Sequence, residues 1–470
     1  MSYRIRQIEP EAKFNELLSI ETITRVVPME TIQAIVREYG VGGQRERRLP
    51  GWLTVLFCIG MNLLSELSMT GVMEHLMRGA RLIHPSDEEE APSSGAYSQA
   101  RARLGVKAME RLFKAVCRPL ATPQTPGAFV YGLRLVALDG SVDEVPDSTA
   151  NSAYFGRSST GRGQSAFPQM QCVYLCECGT HAIFDAAFWP YAVSERRGGK
   201  RLLRSVKAEM LVMWDRGFHD YDMLAGVRSR GAHVLARLPA HVKPTLVEVL
   251  PDGTWLAYVQ PSDPIRRQDE RLLVRIIDYT IQDPTRPGPA QHHRLITTLL
   301  DPTAYPALDL IVLYHERWEV EITLDEVKVH QRLLPRPLRS LTPVGVLQEL
   351  YALLLAHFVV RFIMHEAGLA FHLDPDRLSF VESLRLIRAA IPEFQLVDPA
   401  LHDHLWRRLL RDIVRHILPS PRRNRTNPRV VKRKMSNFKL KRPEHRSLPQ
   451  PSQPFSEVVV VLPMPLPVLI

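Results

Sequence analysis

Cysteine is scarce: there are five in a chain of 470 residues. So sparse and odd a set excludes the even disulfide framework of a small secreted fold and fits a reducing cytoplasm. The N-terminus, MSYRIRQIEPEAK, lacks the apolar segment of an export signal. Long hydrophobic runs are missing too. The longest apolar stretches, 51–64 and 351–360, are too short or too polar to span a bilayer, so a soluble protein with no membrane partner is expected. No internal repeat is found. What is present is ordinary for a globular chain: 45% hydrophobic and 23% charged residues exclude a mostly disordered, collagen-like or coiled-coil protein. The length leaves room for two or three domains. Lys and Arg number 60 against 50 Asp and Glu, a net charge of +10 that favours an anionic partner.

Residues 1–125 read as a helical N-terminal domain. A helix over 30–39 ends at Gly40, a second covers 53–64, and Ser68 is placed to cap a third over 69–77. A helix over 97–104 breaks at Gly105 and resumes over 107–116. Short helices with tight turns, carrying Arg101 and Arg103, suit a DNA-binding unit, although a purely structural helical domain fits the same pattern. From 126 the texture changes. The continuous apolar run 133–138 ends in Asp139-Gly140, as a buried strand does at a loop. Further strands are expected over 168–188 around a turn at Gly179, over 210–214 and over 233–238, with helices over 199–206 and 221–230. Alternating strands and helices imply an α/β core whose first part spans 126–238. Helical signals vanish over 239–293, where alternation and a Pro251-Asp252-Gly253 turn predict a β-rich insertion. The core resumes over 294–395, with a strand at 295–300, a helical tract over 309–330 and a very apolar helix around 346–366. Residues 396–470 read as a basic, partly disordered tail with a terminal strand at 458–462. Between Arg422 and Arg442 lie ten cations and no carboxylate, a run that either contacts phosphates or is simply solvated.

Three carboxylates stand out by position. Asp139 ends one buried strand, Asp215 ends another 76 residues later, and Glu321 lies on a helix 106 residues beyond. Sites in open α/β sheets form at the carboxyl ends of strands, and hard divalent cations take carboxylate oxygens, so such a set suits two-metal phosphoryl transfer. On the helix YHERWEVEITLDEVK, Tyr314, Arg317, Glu321 and Lys328 are offset by 0, 3, 7 and 14 residues. At about 100° per residue they fall within a sector roughly 60° wide. A solvated face laced with i,i+4 charge pairs would look similar, and Asp325 lies near the same sector as a rival ligand. Glu316, Glu319 and Glu326 point elsewhere.

The spacing Tyr, two residues, Arg, three residues, Glu, six residues, Lys is the YREK signature of IS4-type DDE transposases, and Tyr314, Arg317, Glu321 and Lys328 match it throughout. Four specified positions at about 5% usage each give roughly 10⁻⁵ per start by chance. Ala137-Leu138-Asp139-Gly140-Ser141, followed by Pro146-Asp147, Asn151 and Phe155-Gly156, resembles the family's first Asp region; Trp214-Asp215-Arg216-Gly217-Phe218 resembles its second. The resemblance covers roughly residues 15–395 and includes the helical N-terminal domain.

It implies an α/β, RNase H-like catalytic core interrupted by a β-rich insertion and preceded by an all-α N-terminal domain. It implies an enzyme that binds the terminal inverted repeats of an insertion sequence, cleaves strands and transfers them to target DNA, with cut-and-paste as the expected route. Asp139, Asp215 and Glu321 would be catalytic and would hold two Mg²⁺ ions, with Mn²⁺ as a substitute. Tyr314, Arg317, Lys328 and Arg216 would contact phosphates. Trp255 is a candidate to stack a flipped base, against a role in the core. The implied partners are DNA and a second copy in a synaptic homodimer, in a prokaryotic cytoplasm at the nucleoid. The rivals are a catalytically inactive DNA-binding relic and an RNase H-like nuclease that cuts without joining. Cys172, Cys176, Cys178 and His181 have the look of zinc ligands, but their spacing fits no usual knuckle, and buried reduced cysteines in a core account for them better. His292-His293 is read as ordinary loop polarity.

Overall fold

The computed structural model describes residues 3–5, 20–41, 49–83, 92–160, 163–283, 292–333, 338–418 and 453–464. The cationic run 422–442 lies outside them. The chain divides into two units: Met1–Phe129, Gly140–Gly198 and Glu319–Pro419 form the first, and Val130–Asp139, Gly199–Trp318 and Ser420–Ile470 the second.

The first unit is mainly helical. Helices α1 (Met29–Glu38), α2 (Gly51–Leu63), α3 (Met69–Ile83) and α4 (Ser94–Val116) follow the expected positions. Ser68 Oγ accepts from Gly71 N at 3.1 Å, the anticipated cap of α3. At Gly105 the chain takes φ +67, which only glycine adopts cheaply, and α4 kinks. The kink leaves helix carbonyls short of donors. Gln348 supplies them, donating to Arg101 O at 2.9 Å and Gly105 O at 2.8 Å. Arg101 itself is turned inward, its side chain 10% exposed and bonded to Ser340 and Gln348, so it is no part of a DNA-facing surface. Arg103 is exposed.

Gln348 belongs to the 28-residue helix Pro343–Ala370, capped by Thr342. This helix is long and apolar enough to cross a membrane, with mean hydropathy 1.6 in its best window, and so exceeds the apolar stretch of 351–360 noted in the sequence. Yet 89% of that window is buried, because α2 and α4 pack along it. Among the described residues no other helix passes this test. The first unit also holds the last five residues of strand β1 (Leu133–Glu144) and the antiparallel pair β2 (Gln169–Glu177) and β3 (Ile183–Pro190), in the order β3–β2–β1.

The second unit is a sheet in the order β1–β4–β5–β9–β8–β7–β6. Its further strands are β4 (Met210–Trp214), β5 (His233–Arg237), β6 (Thr245–Val249), β7 (Trp255–Val259), β8 (Leu272–Ile281) and β9 (His293–Thr297). Strands β1, β4 and β5 are parallel. All five residues of β4 are buried, as the unbroken apolar run required of a strand covered on both faces. From β5 onward every pairing is antiparallel, so the β-rich stretch extends this sheet and does not form one of its own. The expected terminal strand, β10 (Val459–Val461), adds to β8.

The helical tract after β9 is not one straight helix. It runs as an α-helix over Ala307–Tyr314, a 3₁₀ turn over His315–Arg317, an α-helix over Trp318–Asp325 and a π-helical stretch over Glu326–Gln331. The uniform 100° step that put Lys328 in one sector with Tyr314 therefore does not hold through the tract.

Candidate active site

In the second unit, β1 and β4 pair with Ala137 opposite Met213, an offset of 76 residues. Asp139 and Asp215 share that offset, and each lies two residues beyond this pair. Adjacent strands are about 4.8 Å apart, so the two aspartates stand side by side; Asp215 follows the last residue of β4, but Asp139 lies inside β1, which runs on to Glu144 instead of ending there as expected. Neither is sealed: the Asp139 side chain is 19% exposed and Asp215 is half-buried.

Local chemistry orients both. Asp215 caps the 3₁₀ turn Arg216–Phe218, its Oδ1 accepting from Gly217 N at 2.7 Å. One carbonyl earlier, Trp214 O accepts from the Tyr314 hydroxyl at 3.2 Å. Burial is the main cause that pushes the Tyr314 phenol up to about 12, with the Asp215 charge adding to it, so it remains a neutral donor to that carbonyl. The Arg317 guanidinium stands 4.0 Å from Asp139 Oδ2 and lies over the rings of Tyr314 and Trp318. Asp139, Asp215, Tyr314 and Arg317 are thus one constellation. Arg216 is exposed next to it in sequence.

Trp255 is elsewhere in the second unit, 3% exposed in β7, with its indole N–H donated to Asp278 at 3.0 Å and Arg294 over the ring. Stacking a base on it requires this packing to open. His292 and Arg294 also bond Asp278, so His292 serves local polarity as expected.

The other two signature residues lie in the first unit. Glu321 is exposed. Lys328 is paired with Asp143, which also accepts from Arg332 at 3.1 Å. Burial alone would raise the Asp143 carboxyl, but the Lys328 and Arg332 charges hold it below its ordinary value. Asp143 escaped notice in the sequence; the period of two that places it on the same strand face as Asp139 was the available signal.

A second cluster in the first unit was also missed. His181 Nε2 lies 2.7 Å from Glu319 Oε2 and 3.4 Å from Asp376 Oδ1, and Nδ1 lies 3.3 Å from Glu326 Oε1. Arg361 grips Glu326 through Nε at 2.8 Å and again through Nη2, which also abuts His181 Nδ1. All five side chains are at most 6% exposed. Burial and the Arg361 charge push the imidazole down, yet Glu326 and Glu319 outweigh them and bring it up to about 9. The three cysteines near His181 take no part. All are buried and outside any disulfide, and burial pushes the Cys176 thiol up to about 12, against its partner Thr323 Oγ1.

Residues 17–114 match a family model described as insertion element 4 transposase N-terminal, and residues 131–359 one described as transposase DDE domain. The transposase InsG for insertion sequence element IS4 of Escherichia coli K12 is 30% identical over 415 residues, 86% of this chain and 90% of that one. The chain belongs to the IS4 family of DDE transposases. The putative transposase InsZ of the same organism is 25% identical over 227 residues, 47% of this chain and 72% of that one. Among solved structures, a piggyBac transposase synaptic complex with hairpin DNA is 13% identical, with a TM-score of 0.42 over 88% of this chain and 86% of that one. As an IS4-family member this protein is a DNA transposase, a metal-dependent polynucleotidyl transferase and endonuclease with an α/β, RNase H-like core. It acts on DNA and uses a divalent metal.

Proposed function

We propose that this transposase binds the terminal inverted repeats of its own insertion sequence, cuts there and joins the freed ends to target DNA, with Asp139, Asp215 and Glu321 as catalytic carboxylates. The observation that carries this reading is the shared 76-residue offset of Asp139 and Asp215 on neighbouring parallel strands. The donor set fits the metal: three carboxylates, none sealed from solvent, offer the oxygens that hard divalent cations prefer. Two Mg²⁺ ions, or Mn²⁺ in their place, would activate the attacking water or hydroxyl and neutralise charge on the leaving oxygen. Arg317 holds Asp139 in place and offers its remaining N–H groups to a phosphate. Tyr314 steadies the strand end that presents Asp215. Arg216 is open to the DNA backbone, and Lys328 reaches a phosphate by exchanging Asp143 for it.

Residues 1–125 are the part we assign to holding DNA, with 126–238 and 294–395 as the split core and 239–293 as the insertion; of the tail expected over 396–470, the helix His402–Ile413 packs into the first unit instead. Two ends must be joined in one event, so a homodimer is the working unit, at the nucleoid of a bacterial cytoplasm. The test is an excision assay in cells with the gene's own flanking DNA as donor. Wild type excises and reinserts, and Glu321→Gln does neither. Excision by both proteins would transfer the role to Asp325.

A further inference from the structure

The buried cluster behind Glu321 has an unusual composition for a core. Glu319 and Glu326, seven residues apart, face the same way from the tract that carries Glu321, and Asp376 meets them from the turn Pro375–Arg377. His181 enters from the turn after β2, where its backbone takes φ +58, a left-handed conformation costly for a residue with a Cβ. Three carboxylates therefore face one guanidinium and one imidazole, and burial pushes the neighbouring His357 down. Acidic groups thus outnumber basic ones in a site closed to water, where each carboxylate needs a partner. The surplus has an address. Asp376 is 2% exposed and its Oδ1 accepts no hydrogen bond, although it points at the edge of the His181 ring.

We propose that His181 Nε2, Glu319 and Asp376 bind a structural divalent transition ion, with zinc the best fit to one imidazole and two carboxylates. Their ligand atoms all lie within 4.8 Å of one another. Ligands at 2.0–2.1 Å around a tetrahedral ion are about 3.3 Å apart, so the Asp376 contact at 3.4 Å already fits. The Glu319 contact at 2.7 Å must open by about 0.6 Å. A dication there offsets the excess of carboxylates and gives Asp376 Oδ1 its partner. Behind the ring, Nδ1 faces Glu326 Oε1 at 3.3 Å and Arg361 fixes Glu326; with the ion on Nε2 and the proton on Nδ1, this is the carboxylate–histidine–metal arrangement that orients a ligating histidine. The imidazole nitrogen separates this site from the all-oxygen carboxylates proposed for catalysis.

Metal content of the full-length protein, purified without chelators, tests this. About one zinc per chain is expected in wild type, Asp139→Asn and Glu321→Gln, and none in Asp376→Asn or His181→Gln. Glu326→Gln should weaken zinc binding about 10–100-fold by freeing the histidine. Because a core variant can fail to fold, wild type is also stripped with EDTA. Its unfolding midpoint should fall and be restored by Zn²⁺ but not by Mg²⁺, and Co²⁺ should give the visible spectrum of a tetrahedral site. Zinc retained in full by Asp376→Asn overturns the assignment. So does a wild type that carries no zinc and whose midpoint ignores it, leaving an imidazolium-centred ion cluster. Loss of zinc in Asp139→Asn and Glu321→Gln alone would assign the ion to the catalytic carboxylates and equally overturn it.

Discussion

Residues 319–331 present two charged faces that differ in everything except residue type. On one, Glu321 and Asp325 are exposed, with His330 at 3.3 Å from Asp325. On the other, Glu319 and Glu326 are at most 6% exposed and locked by His181 and Arg361. Glu319 and Glu321 are two residues apart, about 200° around a helix, and that rotation alone separates a solvent-exposed carboxylate from one that holds the core. The lesson concerns cost. A buried carboxylate must be fully partnered where it stands, whereas an open one can wait for a ligand.

The largest effect should come from the open face. Glu321→Gln, like Asp139→Asn and Asp215→Asn, is expected to lower strand cleavage at least about 1,000-fold while end binding in gel shifts is nearly unchanged. If binding falls in step with cleavage, these are not metal ligands. The buried face should answer in stability. Arg361→Met strands Glu326 and is expected to cost about 3–5 kcal/mol in urea unfolding, where Glu321→Gln costs within about 0.5 kcal/mol. Equal losses from the two would erase the contrast between the faces.

Lys328 stands between these extremes, half-buried on Asp143. Lys328→Ala should weaken end binding and reduce its log-salt slope by about 0.9, one phosphate's share; an unchanged slope removes it from the DNA contacts. The same variant tests the pairing by pH. The folded Asp143 carboxyl lies below its ordinary 3.8, so its stabilisation is present above that value and is lost as pH falls through the folded pKa. Without Lys328 that pKa rises, and acid unfolding should begin at a higher pH than in wild type. The smallest effect is expected at Trp255→Phe, which forfeits the hydrogen bond to Asp278 for about 1 kcal/mol of stability. If excision fails in Trp255→Phe while stability holds, its indole belongs in the DNA-contacting set after all.

Much of the fold was legible in the order of residues. β4 falls at 210–214 as expected, because an unbroken apolar run between turn residues leaves few alternatives. The segments around Asp139 and Asp215 and the spacing of Tyr314, Arg317, Glu321 and Lys328 carry the family in the sequence itself, although Asp139 lies within β1 and only Asp215 follows a strand end. The unevenness of the 307–331 tract was not legible, since no proline or glycine marks its 3₁₀ and π segments. The inward turn of Arg101 was hidden for a different reason: the carbonyls it accompanies are exposed by a kink, and their donor, Gln348, lies more than 240 residues away.

The sequence by itself determined much of the element order and the catalytic family, because strand burial, turn chemistry and motif spacing are local properties of the chain. Only the tertiary structure decided what each charged side chain is for. It turned Lys328 onto Asp143, Tyr314 onto the Trp214 carbonyl and His181 away from its neighbouring cysteines toward Glu319, Glu326 and Asp376. The physical reason is desolvation: once a charge is buried, its partner is whichever opposite charge packing brings within reach, and that partner can lie hundreds of residues away.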